Sequence, residues 1–247
     1  IVYLLADRTD GEQTNLSFLE FARDVNDHLD KCGFALCKGN IMASNPALCL
    51  TLDEWKSRFG AWIREPHPEA LLNASIYFDF RVMYGNERLG DQLRAWLNKT
   101  VRGNSAFLRM MAANALKVAP PLGRLRDFVV EDGGSIDLKK SGARLFVDVA
   151  RILALRTGVD SSSTAQRLRQ ASTKMGVSAD EVAAIVDGFH FVQLLRLRSQ
   201  RLDTEHGAPD DNHVNPDTLN ELDRNILKEA FRQARKLQTR LKLDYQL

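Results

Sequence analysis

The 247-residue sequence predicts a mostly α-helical protein of the α+β class: a small α/β start, then a helical bundle with one β-hairpin. Three observations carry that reading. From residue 52 onward, apolar residues mostly recur at three- and four-residue spacing, the mark of helices with one buried stripe. Strand-like runs are short and lie in the first 45 residues and near 128–138. Ala119-Pro120-Pro121-Leu122-Gly123 is the clearest break, and a polar segment at 204–217 with two prolines sets off a last helix.

Ile1-Val2-Tyr3-Leu4-Leu5 is an apolar run of strand length that reads as already under way, so the sequence is expected to start inside a longer domain. Residues 6–15 read as a polar loop around Asp10-Gly11. A helix is expected over 16–31, where Phe18, Phe21, Ala22, Val25 and Leu29 share a stripe, with Gly33 at its C-cap. Residues 34–45 read as two short strands or one bent strand. Thr51-Leu52-Asp53-Glu54 is a capping box opening a helix with Leu52, Trp55, Phe59, Trp62 and Ile63 on one face. Pro66 and Pro68 end that helix and start the next, 68–84, which is apolar nearly all round and is expected to be buried. Two more helices fit 87–101 and 104–118. Phe128–Glu131, Asp132-Gly133-Gly134 and Ser135–Leu138 read as a β-hairpin. Helices follow at 143–157, 163–174, 178–203 and 218–243, the last with a capping box at Thr218-Leu219-Asn220-Glu221.

Lys and Arg number 34 against 32 Asp and Glu, a net charge of +2. No strong field therefore draws in nucleic acid or a membrane surface. Hydrophobic residues make up 44% and charged residues 27%, which excludes a disordered chain. No window approaches ~18 uninterrupted apolar residues, so a helical membrane span is excluded, and no signal peptide is visible. Cys32, Cys37 and Cys49 form no CxxC pair and fit a reducing cytoplasm better than a disulfide framework.

Asp79 is the carboxylate of most interest. On a 68–84 helix it shares the stripe of Leu72, Ile76 and Met83, where a charge must find a partner or shift its pKa. Arg81, two residues on, points away within a helix. An Asp/Arg pair serving a pocket is one reading; a buried structural ion pair is the other, and the more economical. Lys38-Gly39-Asn40 and Ser44-Asn45-Pro46 flank a short apolar run, as a ligand rim would, although plain turn chemistry explains them too. His28, Cys32 and Cys37 lack a fourth ligand for structural zinc, and no metal site is expected. His190, among Phe189, Phe191, Leu194 and Leu195, reads as a packed core histidine. Arg224, Lys228, Arg235 and Lys242 form a basic stripe opposite Leu219, Leu222, Ile226, Ala230, Leu237 and Leu241, best read as the solvated face of an amphipathic helix. Arg144, Asp148 and Arg151 share a face at i, i+4 and i+7, an ion-pair ladder first and an anion site second.

Several stretches in fixed order carry a family resemblance: Cys32-Gly33-Phe34-Ala35-Leu36-Cys37-Lys38-Gly39 with Met42-Ala43-Ser44-Asn45-Pro46; Leu52-Asp53-Glu54-Trp55; Tyr77-Phe78-Asp79-Phe80-Arg81 with Gly85; Pro120-Pro121-Leu122-Gly123; Asp137-Leu138-Lys139-Lys140 with Val147-Asp148-Val149-Ala150-Arg151; and Leu227-Lys228-Glu229-Ala230-Phe231. Together they resemble the bacterial nucleotidyltransferases related to the PII uridylyltransferase, over nearly the whole chain. The resemblance implies the C-terminal part of a nucleotidyltransferase domain over 1–105 and a helical substrate-binding domain over 106–247. It implies regulatory CBS and cyclic-nucleotide-binding domains in the same polypeptide, a role in signal transduction and a cytoplasmic location. Substrate- or nucleotide-binding residues on the matching positions are Lys38, Ser44, Asn45, Asp79, Arg81, Lys139 and Arg151. The family's chemistry rests on a Gly-Ser turn followed by Asp-x-Asp, which would hold Mg²⁺ and a nucleoside triphosphate because hard cations want oxygen ligands. Those motifs are expected upstream of Ile1, and no Asp-x-Asp occurs in this sequence. No catalytic residue is therefore assigned, and these 247 residues alone are expected not to catalyse. Two functions remain open: part of an enzyme that moves a nucleoside monophosphate onto a protein or small molecule, and a non-catalytic helical docking module. The near-neutral charge argues against nucleic-acid binding.

Overall fold

A computed structural model describes residues 1–4, 11–123, 128–131, 133–205 and 212–247. Helix accounts for 69% of the chain, about twice the usual third, so the mostly α reading holds. Packing divides the chain into two units that interrupt each other in sequence. One comprises Ile1–Glu65 and Phe80–Thr100, the other Pro66–Asp79 and Val101–Leu247.

In the first unit, β1 (Val2–Tyr3) pairs in parallel with β2 (Leu50–Thr51), Val2 opposite Leu50. Between them runs α1 (Gly11–Lys31), and α2 (Leu52–Arg64) follows β2 directly. The capping box forms as expected: Thr51 N and Oγ1 donate to Glu54 Oε2 at 2.8 and 2.7 Å, and Glu54 N donates to Thr51 Oγ1 at 3.2 Å. The α2 stripe of Leu52, Trp55, Phe59 and Ile63 is buried. Trp55 Nε1 donates to the Ile1 carbonyl at 2.8 Å, tying α2 to the strand. Most of α4 (Glu87–Arg102) belongs here and buries Leu93 and Leu97. Arg94 donates to the Phe80 carbonyl and lies over the Phe80 ring, 3.9 Å from its centroid.

Three expectations for this unit are corrected. Residues 11–15 are helical, not loop; residues 5–10 lie outside the described residues. Of the α1 stripe only Ala22 is buried, with Leu19 beside it, while Phe21, Val25 and Leu29 face solvent. Residues 34–45 form no strand: Asn40 adopts φ +53°, its N–H closes a turn on the Cys37 carbonyl at 2.9 Å, and the Asn45 side chain caps a 3₁₀ turn at Pro46–Leu48.

The second unit is a helical bundle. It contains α3 (Pro68–Tyr77), α5 (Ser105–Ala115), α6 (Arg144–Thr157), α7 (Thr164–Lys174), α8 (Ala179–Glu205) and α9 (Glu221–Tyr245). Helix α6 is its centre: Leu145, Phe146, Val149, Ala150 and Ile152–Leu155 are all buried. Gly158 ends it at φ +65°, a left-handed C-cap. Helices α8 and α9 approach closely at Gly188, where a Cβ would lie 3.1 Å from Ala230 Cα.

Here too the structure differs from expectation. The 68–84 helix stops at Tyr77, Leu72 and Met83 are exposed, and the chain leaves its helical path to deliver Asp79 to other helices. The hairpin does not form as read; Asp132 lies outside the described residues. Glu131 N donates to the Ser135 carbonyl at 2.8 Å in a tight turn. Yet β3 (Ile136–Asp137) pairs antiparallel with β4 (His213–Val214), because burying Ile136 favours the distant partner. Asn220, not Thr218, caps α9, accepting from Asp223 N at 2.8 Å; Thr218 is consumed in a 3₁₀ turn, Pro216–Thr218. On α9, Ala230, Leu237 and Leu241 are buried as expected, but Leu222 and Ile226 are exposed and the inner face is completed by Leu227, Phe231 and Ala234. His190 is exposed: the buried face of α8 runs Val182, Ile185, Val186, Phe189, Val192, Leu195, and the next position after Phe189 turns ~100° away.

Candidate functional site

A cluster of charged side chains lies on one side of α6, inside the helical unit. Helix α3 begins at Pro68 with His67 as N-cap and buries Ala70, Leu71 and Ala74. Beyond its C-cap, buried Phe78 anchors the chain and sets Asp79 toward α6 and α7. Arg151 Nε and Nη2 donate to Asp79 Oδ2 at 3.0 and 2.8 Å, a fork onto one oxygen. Arg167 Nη1 lies 2.7 Å from the other oxygen, Oδ1. The side chains keep 24% exposure at Asp79, 9% at Arg151 and 4% at Arg167. Asp148 accepts from Arg151 Nη1 at 3.0 Å and from Arg144 Nε at 3.1 Å, so the ladder read from the i, i+4, i+7 spacing forms. Arg167 Nε donates to the Ser161 carbonyl, which fixes the guanidinium plane.

Burial alone would push the Asp79 carboxyl up. The charge and hydrogen bonds of Arg151, then of Arg167, outweigh burial and hold it below the usual carboxylate range. Asp79 is therefore ionised at neutral pH and shared between Arg151 and Arg167. Beside the cluster Ser75, Asn114, Asp148 and Arg151, with Leu71 and Met111 as walls, line a pocket of about 10 Å³, room for one water.

The first unit carries an open cleft of about 570 Å³ lined by Tyr3, Glu12, Asn15, Arg23, Thr51 and Glu54. Asn15 Nδ2 donates to the Tyr3 hydroxyl at 3.1 Å and to the Cys49 carbonyl at 2.9 Å, and Glu54 is occupied by the capping box. Burial pushes the Cys49 thiol up, as suits a packed sulfur rather than a nucleophile. Among the described residues no three His, Cys, Asp or Glu side chains converge.

Residues 105–245, more than half of the chain, match the family model described as putative nucleotidyltransferase substrate binding domain, and residues 2–69 match the one described as putative nucleotidyltransferase DUF294. The chain belongs to this nucleotidyltransferase family. No curated protein and no solved structure matches it. The substrate-binding match falls on the helical unit, and Asp79, outside both matches, completes the cluster from an earlier part of the chain.

Of the residues singled out in this nucleotidyltransferase-family sequence, the structure brings together Asp79 and Arg151. Lys38 is exposed in the Cys37–Asn40 turn; Ser44 is half-buried; Asn45 accepts from Ala47 N at 2.9 Å and donates to the Asn40 carbonyl at 2.8 Å, a turn-holding role. Arg81 is exposed and belongs to the first unit. Lys139 opens a π-helical turn, Lys139–Ala143, with its backbone N–H on Asp137 Oδ1 at 2.8 Å and its side chain exposed. Sequence reasoning missed Arg167. The signal was there: it neighbours Leu168 and Ala171 on the buried side of α7, and a charge on an apolar face is what drew notice to Asp79.

Proposed function

We propose that the helical unit binds the acceptor in nucleotidylyl transfer. In this reading a nucleoside monophosphate passes to a protein or small-molecule acceptor, in a PII-uridylyltransferase-like protein of bacterial signal transduction. The observation that carries it is the coincidence of the substrate-binding match, 105–245, with a bundle that has its own core and a buried Asp/Arg cluster. Mg²⁺ and the nucleoside triphosphate belong with the Gly-Ser and Asp-x-Asp motifs of the intact enzyme. Its CBS and cyclic-nucleotide-binding domains regulate it from the same cytoplasmic polypeptide. The 247 residues supply acceptor binding and no turnover.

The test is incubation of this chain with Mg²⁺, labelled nucleoside triphosphates and candidate acceptors, alone and added to the longer polypeptide. Alone it gives no transfer above a blank; added, it lowers transfer by sequestering acceptor, and raising the acceptor concentration reverses the loss. Turnover by the chain alone would show that the active site lies within it. Addition without effect on transfer would remove acceptor binding and leave the docking-module reading.

A further inference from the structure

Arg151 and Arg167 are arranged as an anion site is. Their guanidinium groups come from different helices and converge on opposite oxygens of one carboxylate, at 2.8–3.0 Å and 2.7 Å. The arginines are nearly sealed and the carboxylate is the most exposed member of the three, so the side open to solvent is the anion's. Guanidinium forks suit phosphate oxygens as well as carboxylate oxygens. Among the described ion pairs of the cluster, moreover, the charges do not balance. Arg144, Arg151 and Arg167 face Asp79 and Asp148, three positive against two negative, an excess of one. A dianion in place of the Asp79 carboxylate would bring the sum to zero. Asp79 itself lies just past the end of α3, on a 14-residue segment, Pro66–Asp79, that enters the unit from elsewhere in the chain.

We propose that Arg151 and Arg167 form a subsite for a phosphate dianion and that Asp79 is its intramolecular occupant, displaced when phosphate binds. The subsite takes free phosphate or a phosphate monoester, and it stands whatever acceptor the unit carries. Displacement frees α3 from its ion pair, so ligand binding is expected to loosen residues 68–77 while tightening α6 and α7.

The experiment uses the 247-residue protein and its Asp79→Asn variant, in which a neutral amide keeps the side-chain shape. Inorganic phosphate and O-phosphoserine are the probes, against sodium chloride at equal ionic strength; the tighter probe identifies the source. Asp79→Asn should gain a saturable ~5–10 °C in melting temperature at about a hundredfold excess of ligand over Kd. The gain should vanish when Arg167→Gln is added. In the wild-type chain phosphate should bind more weakly, because Asp79 competes, and should raise amide exchange in α3. A melting shift no larger than in chloride, or one that survives Arg167→Gln, overturns the proposal. So does rescue of the variant without any change of α3 exchange in the wild type, which would leave Asp79 a purely structural counter-ion. Should Asp79→Asn fail to fold, the wild-type exchange measurement decides alone.

Discussion

Replacing Asp79 with Ala removes the one carboxylate between two arginines whose side chains keep only 9% and 4% exposure. The guanidinium of Arg167 then keeps the Ser161 carbonyl as its hydrogen-bond acceptor, and Arg151 keeps Asp148. Arg151 is thus half-compensated and Arg167 is left without a counter-charge from this cluster. Breaking a buried pair by removing one partner costs ~3–5 kcal/mol, far more than an exposed pair is worth. For a unit of this size each kcal/mol moves the midpoint by ~2–4 °C, so the helical unit should melt ~6–20 °C lower. Circular dichroism at 222 nm, an ordinary helix wavelength, reads it directly. The pH dependence has a definite sign. The Asp79 pKa is lowered on folding, so its contribution is fully present above the unfolded carboxyl value of ~3.9 and is lost as pH falls through the lower folded value. Wild type and Asp79→Ala should therefore differ by a constant amount near neutrality and converge only below about pH 4. Equal melting at pH 7 would refute the argument that Asp79 carries the charge balance of α6 and α7. A gap that closes above pH 5 would refute the sign of the shift.

Gly188→Val should destabilise the α8–α9 contact by ~1–3 kcal/mol despite better helix propensity, because a Cβ there meets the Ala230 backbone at 3.1 Å; urea unfolding measures it. Asn220→Ala should cost about 1 kcal/mol by leaving Asp223 N–H uncapped, while Thr218→Ala, outside the cap, should cost less; paired melts of the two variants separate them. Gln238→Leu should cost ~1–3 kcal/mol, since its amide serves the carbonyls of Val118 at 2.7 Å and Ala115 at 3.5 Å at the end of α5; a cost near zero in chemical denaturation would mean water replaces it.

Helices were legible wherever periodicity and caps agreed. The Thr51–Glu54 box, the Pro66/Pro68 boundary and the Arg144–Asp148–Arg151 ladder are local, and their geometry follows from spacing alone. Expectations failed where a distant partner decided. Ile136–Asp137 looks like half of a hairpin until His213–Val214, with Ile136 opposite Val214 and Asp137 opposite His213, supplies a better edge. On a continued helix Asp79 shares a stripe with Leu72, Ile76 and Met83, yet those side chains face solvent. Its burial comes instead from Arg151 and Arg167, and the segment 78–84 gives up a helix to reach them. The order of charges along the sequence cannot reveal such a bond, because the strength of an ion pair depends on the dielectric that folding itself creates.

The interleaving of the two units also fixes a schedule on the ribosome. The Asp79–Arg151 hydrogen bond spans 72 residues. At ~5–20 residues per second, Asp79 waits roughly 4–14 s for its first arginine, and longer for Arg167. Through that interval Leu71 and Phe78, both buried in the finished protein, can meet only α5, where Phe107 lies 6.0 Å from the Phe78 ring. The first unit, complete by Thr100, can close long before. The nascent chain thus carries α3 with α5 as its partner but without the counter-charges of Asp79 until α6 and α7 are made. Synthesis speed over residues 80–167, rather than the stability of either unit, then governs how long that apolar surface is open to chaperones or to misassembly.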